Sequence, residues 1–153
     1  MAIDTLISRG QLGSKSVAFQ TTLTTTGTPT ALTPTTGTKF RLKGFAINAV
    51  VSTVLAGTGV SLFLMDMASG DTTFAASKVI WPLAGFAANA AAGTVARQDT
   101  NVVLIPRLSY RGQSRAYGYV SLAADNLIKL QTNATISTGV LTISGVFFYD
   151  EEI

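Results

Sequence analysis

Enzymes and metal centres draw on a short list of side chains, and this 153-residue sequence is poor in them. It has no histidine and no cysteine. The first absence removes the commonest general base and metal ligand. The second removes disulfides, thiol nucleophiles and cysteine-bound zinc. Its eight acids are Asp4, Asp66, Asp71, Asp99, Asp125, Asp150, Glu151 and Glu152. None has the spacing of a calcium loop, and none falls in a recognisable carboxylate-dyad context. The nearest approach is MDMASGDTT, which sets Asp66 and Asp71 beside Ser69 and Gly70. Calcium wants about six to eight oxygens, so these two acids are read as turn residues. The expectation is a protein that is not an enzyme, with no catalytic residue, cofactor, metal or small-molecule substrate.

Three further clusters carry chemistry of a weaker kind. PRLSYRGQSR places Arg107, Arg111 and Arg115 around Tyr110, a set that can clamp phosphate or stack on bases. Nucleic-acid surfaces recruit many more cations, and the net charge is only +3. The arginines are therefore read as a solvated hairpin or polar interface meeting carboxylates of a neighbouring subunit, with no nucleic-acid partner. AYGYV puts Tyr117 and Tyr119 on one strand face, where they could stack on a sugar. NAT at Asn133 satisfies the glycosylation sequon and is read as chance, because MAIDTLISRG lacks the basic and apolar segments of a secretory leader.

The elements that would hold such residues are strands. SVAFQTTL (16–23) alternates, and KFRLKGFAINAVV (39–51) starts with Phe40 and Leu42 on one face and Lys39, Arg41 and Lys43 on the other. At Gly44 the phase inverts, so Phe45, Ile47 and Ala49 take over the apolar face; this predicts a bulge or bend there. GVSLFLMDM (59–67) is apolar on both parities. It is expected to be covered on one side by a second sheet and on the other, through Phe63 and Met65, by a neighbouring subunit. Further strands are predicted at 77–83, 100–106, 116–123, 127–132 and 139–150. The Ala-rich stretch 84–96 is read as a loop with a short helix at most. No apolar run approaches the length of a membrane helix. The result is one all-β domain, 16–153, an antiparallel jelly-roll-like sandwich of about eight strands preceded by an extended arm, 1–15.

TTLTTTGTPTALTPTTGT (21–38) needs its own account, since eleven of its eighteen residues are threonine. A mucin-like stalk would carry almost nothing apolar, whereas Leu23 and Leu32 interrupt this run. Threonine is β-branched and favours strands, and GTP, LTP and TTGT supply turns. A folded strand–turn–strand segment is expected.

Charged residues make up 12% of the chain and hydrophobic ones 47%, a balance that leaves a small monomer short of solubilising charge. Contact between copies is the natural remedy. In the arm, Ile3, Leu6, Ile7 and Leu12 with Arg9 are candidates to dock on a neighbour. The acidic end, Asp150, Glu151 and Glu152, is a candidate polar interface.

A short arm, then TPTALTPTTGTKFRLKGFAINA, then GVSLFLMD, a proline-bounded strand pair and a terminal TGVLTISGVFFYDEE together resemble small tailed-phage virion proteins. Among these the layout is most similar to capsid decoration, or cement, proteins with a jelly-roll-like fold. The resemblance implies a homotrimer seated on the outer capsid surface of the virion, made in the host bacterial cytoplasm. It further implies that the protein binds the major capsid protein, stabilises the shell, and has no membrane partner. The alternative it leaves open is a receptor- or carbohydrate-binding head of a phage tail fibre, using aromatic residues such as Tyr117, Tyr119 or Trp81.

Overall fold

Alternating side chains can bury one face of a strand only if a second layer covers it, and this chain supplies two such layers. The computed structural model describes residues 15–24, 27–57, 59–99 and 118–153. Among the described residues nine strands run β1 (Lys15–Leu23), β2 (Thr30–Leu32), β3 (Lys39–Ala56), β4 (Val60–Met67), β5 (Val79–Phe86), β6 (Val95–Asp99), β7 (Tyr119–Val120), β8 (Leu127–Thr132) and β9 (Thr138–Glu152). A single 3-10 turn, Ala76–Lys78, precedes β5, and no α-helix occurs among the described residues.

The pairing is nested. β1 pairs with β9, β2 with β8, β3 with β6, and β4 with β5, all antiparallel. These are the rungs of one long hairpin folded over on itself. Pairing of β3 with β9 and of β4 with β8 then closes two sheets, ordered β1-β9-β3-β6 and β2-β8-β4-β5, with β7 added on β3. This is the jelly-roll form of the all-β sandwich.

The bulge at Gly44 is where the alternation places it. Leu42 pairs with Tyr149 and Gly44 with Phe148, so Lys43 is an extra residue in β3. Phe40 and Leu42 before it and Phe45, Ile47, Ala49 and Val51 after it are all buried in the same core. From the facing sheet Leu62, Leu64, Ile128 and Leu130 complete that core, and β9 adds Leu141, Ile143 and Phe147.

The outer face of the smaller sheet corrects one expectation. Phe63, Met65 and Met67 lie on the parity away from the main core, yet Met65 is 0% exposed within a single chain. The chain's own β4–β5 connection lies over this face. Phe74 packs on Phe63 with ring centroids 5.3 Å apart. Lys129 donates to the carbonyls of Ser69 and Asp71 at 2.7 and 2.8 Å, and Gln131 to that of Thr72 at 2.8 Å. The doubly apolar pattern of β4 therefore reflects intramolecular cover, and Met65 has no surface to offer a second subunit.

The threonine-rich run folds as expected where it is described. Thr21 and Thr22 close β1, Thr30 opens β2, and Leu23 and Leu32 enter the core. A turn follows in which the Thr38 N–H and hydroxyl both donate to the Thr35 carbonyl, at 3.0 and 2.7 Å. The loop expected over 84–96 is present but shorter. β5 runs on to Phe86, two tight turns bring the chain round, and β6 starts at Val95, with no helix. The strand expected at 100–106 lies outside the described residues, and the one expected at 116–123 is reduced, in its described part, to the two residues of β7.

Candidate functional site

Each of the six acids whose side chains are described has a partner inside the chain. Asp66, on the inward parity of β4 and 1% exposed, accepts three hydrogen bonds of 2.7 Å. They come from the Tyr119 hydroxyl, the Leu122 N–H and the Asn126 side-chain amide. It ties the segment after β7 to the sandwich. Asp71 pairs with Lys78 and accepts the Thr73 N–H at 3.0 Å, and Asp125 accepts the Gly37 N–H at 2.6 Å. The turn reading of Asp66 and Asp71 thus becomes a bracing role for both.

The acidic run at 150–152 belongs to β9. Lys43, aimed by the bulge, lies 3.7 Å from Asp150; Arg41 meets Glu152 at 2.6 Å and Lys15 meets Glu151 at 2.5 Å. Glu151 also accepts the Thr35 N–H at 2.9 Å. These acids are satisfied by β1 and β3 of their own chain, so the polar interface expected of them needs no neighbouring subunit to account for it.

Glu151 and Asp71 are expected to make stability pH-dependent. Burial would push the Glu151 carboxyl up, but the hydrogen bonds from Lys15 and Thr35 outweigh it and hold the group below its ordinary value. For Asp71 the hydrogen bond from Lys78 leads, helped by the Thr73 N–H, and the shift is again downward. A carboxyl depressed in the folded state adds stability above its unfolded value and loses it as pH falls through the folded one. Stability is therefore expected to decline once pH drops below about 4.5, and Glu151→Gln should flatten that decline. Urea titrations of both proteins between pH 6 and pH 3 check this; parallel curves would show that Glu151 plays no part.

Of the aromatic residues proposed to meet sugar, Trp81 and Tyr119 are half-buried and pack against the core. Trp81 packs edge-on against Phe45, centroids 6.3 Å apart. The Tyr119 hydroxyl is bound to Asp66 and its ring lies 6.3 Å from that of Phe40. The two residues sit on different sheets and form no common platform. Tyr117, the arginines 107, 111 and 115, and the arm residues Ile3, Leu6, Ile7, Arg9 and Leu12 lie outside the described residues.

What the sandwich does present is the outer face of its larger sheet. Residues opposite one another in an antiparallel pair share a face, so Ala18, Val146 and Ala46 form one row across β1, β9 and β3. Gln20, Ser144, Asn48 and Arg97 form the next, extending to β6. Arg97 donates to Asn48 at 3.2 Å. A third row holds Val50 and Val95, the latter 51% exposed. Over Gly145, between Ala46, Asn48, Arg97, Ser144 and Val146, lies a shallow depression of about 400 Å³. The rows carry two charged residues, both on β6, Arg97 and, paired with Ala46, Asp99, and the ion pairs of Arg41 and Lys43 stand at one end. Sequence reasoning passed over this face; its signal was the small, neutral off-core parity of β1, β3 and β9.

Neither a protein-family model nor a curated protein sequence matches the chain.

Proposed function

We propose that this protein is a structural component of a phage virion, a capsid decoration protein that works as a homo-oligomer by surface contact. The observation that carries the reading is a jelly roll whose acids with described side chains are committed to its own framework, with a broad sheet face left over that is uncharged across β1 and β9 and bears Arg97 and Asp99 at its β6 edge. Such a face suits a protein neighbour, and we assign it to contact between copies. Jelly rolls recur in viral capsid proteins, and in lectins as well; that is an analogy of fold, which does not by itself give function. The layout resemblance to decoration proteins adds to it. Once preassembled, several modest contacts made together bind far more tightly than one.

The direct test is co-sedimentation of purified protein with capsids that lack it. Retention in the capsid pellet, with increased resistance of the shell to heat, is the expected result; protein left wholly in the supernatant would overturn the reading. Light scattering is expected to give about three times 15.9 kDa, and a monomer at micromolar concentration would remove the oligomer from the mechanism. Val146→Glu, which puts a charge in the uncharged middle of this face, should shift the species toward monomer while leaving the far-ultraviolet spectrum unchanged.

A further inference from the structure

The threonine-rich run does more than join strands. Where it leaves β1 and enters β2 it forms one wall of an open cleft of about 620 Å³, within the range of small-molecule sites. Thr24 and Thr28 stand on that wall; Thr72 and Phe74 come from the β4–β5 connection, and Gln131 to Thr135 from the end of β8 and its turn. No lining residue among those described is charged.

The polar groups here are held in set directions. Gln131 is 8% exposed, and its amide N–H₂ donates to the Thr72 carbonyl. Its Oε1 is buried and has no hydrogen-bond partner, a standing penalty in a folded protein. Asn133 Oδ1 accepts the Ser61 N–H at 2.9 Å, which leaves its N–H₂ as a donor on an exposed residue. The Thr132 hydroxyl donates to the Ala134 carbonyl at 2.8 Å, so its oxygen can still accept. Phe74, fixed against Phe63, adds a half-buried ring.

We propose that this cleft binds an uncharged saccharide, one pyranose ring at a time. A sugar offers neighbouring hydroxyls that both donate and accept, together with a C–H face. The cleft offers amides and hydroxyls of both polarities beside an aromatic ring, and no ion to favour an acid or an amine. Gln131, on the cleft wall, carries the one buried side-chain acceptor left unpaired among the described residues, which a sugar hydroxyl satisfies once that side chain moves to expose it. The inference is independent of capsid attachment, and it assigns sugar contact to residues other than Trp81 and Tyr119.

The test is an amide-resolved NMR titration of the full chain with glucose, galactose and N-acetylglucosamine, and with glucuronate as the charged comparison. At least one neutral sugar is expected to shift the Gln131 side-chain amide and the backbone signals of 132–135. Thr135→Arg, at an exposed residue with no hydrogen bond among the described residues, should weaken that binding roughly tenfold or more by filling the cleft, with melting unchanged; Thr135→Ser should retain it. The proposal falls if none of the three neutral sugars moves these signals at about 50 mM, well above a millimolar Kd. It falls equally if Thr135→Arg leaves neutral-sugar binding intact, or if glucuronate binds more tightly than glucose. A threonine-rich peptide that moves the signals where sugars do not would make the occupant a protein and overturn it too.

Discussion

Asp66→Ala is expected to lower the melting temperature by roughly 6–16 °C, the largest loss from any single side chain outside the apolar core. Three donors converge on this carboxylate inside the sandwich. Truncation removes three charge-assisted hydrogen bonds, from the Tyr119 hydroxyl, the Leu122 N–H and the Asn126 amide. Unsatisfied buried donors cost about 1–3 kcal/mol each. Partial rehydration offsets some of this, because Leu122 itself is exposed, so a net of about 3–4 kcal/mol is the expectation. For a domain of this length each kcal/mol moves the midpoint by about 2–4 °C. Asp66→Asn supplies a graded control. It keeps an acceptor for Tyr119 and Leu122 and can meet Asn126 by a flip of that amide, so it should lose less than half as much. Calorimetry of the two variants and of Tyr119→Phe separates the contributions. A midpoint for Asp66→Ala within a degree or two of wild type would show that the segment after β7 does not need this anchor.

Gly145→Ala should come next, at about 2–3 kcal/mol, or roughly 4–12 °C. Gly145 faces the core from the middle of β9, where β3 comes too close for a side chain. A Cβ there would stand 2.3 Å from the Ala46 carbonyl oxygen and 3.0 Å from Ile47 Cγ1. The first contact is with backbone, so a rotamer change cannot relieve it; the two central strands must part. The space a side chain would have filled is used by Phe19, directly across in β1, whose ring stacks on Phe147 at 5.0 Å. Gly70→Ala is the control, since nothing lies within 4 Å of its added carbon. Equal midpoints for the two variants would refute the close-approach argument. The same separation of strands should flatten the depression over Gly145, so oligomer formation by Gly145→Ala is worth measuring beside its stability.

The strands were legible because their signal is local. A residue's parity along a strand decides which way it points, so the β1, β3, β8 and β9 segments and even the bulge at Gly44 could be placed from neighbours a few positions away. Threonine's β-branch likewise marked the run at 21–38 as folded chain. β6 escaped, since VARQD alternates weakly and becomes a strand by pairing with β3 residues some fifty positions earlier.

The contacts between distant segments were decided only by tertiary structure. β4 is apolar on both sides whether a neighbour or its own loop covers it; the hydrogen bonds from Lys129 and Gln131 to the loop carbonyls settle that in favour of the loop. The acids at 150–152 read as a free charged end because their partners lie more than a hundred positions away in sequence, on Lys15, Arg41 and Lys43. The threonine-lined cleft is the extreme case. Its walls come from three separate parts of the chain, and the unpaired oxygen of Gln131 has no counterpart in any local pattern. Composition and alternation determined an all-β sandwich, since that follows from residue types and near neighbours. Which surfaces that sandwich covers, and which it leaves open to bind, depended on the nested pairing, because only folding brings residues a hundred positions apart within reach of one hydrogen bond.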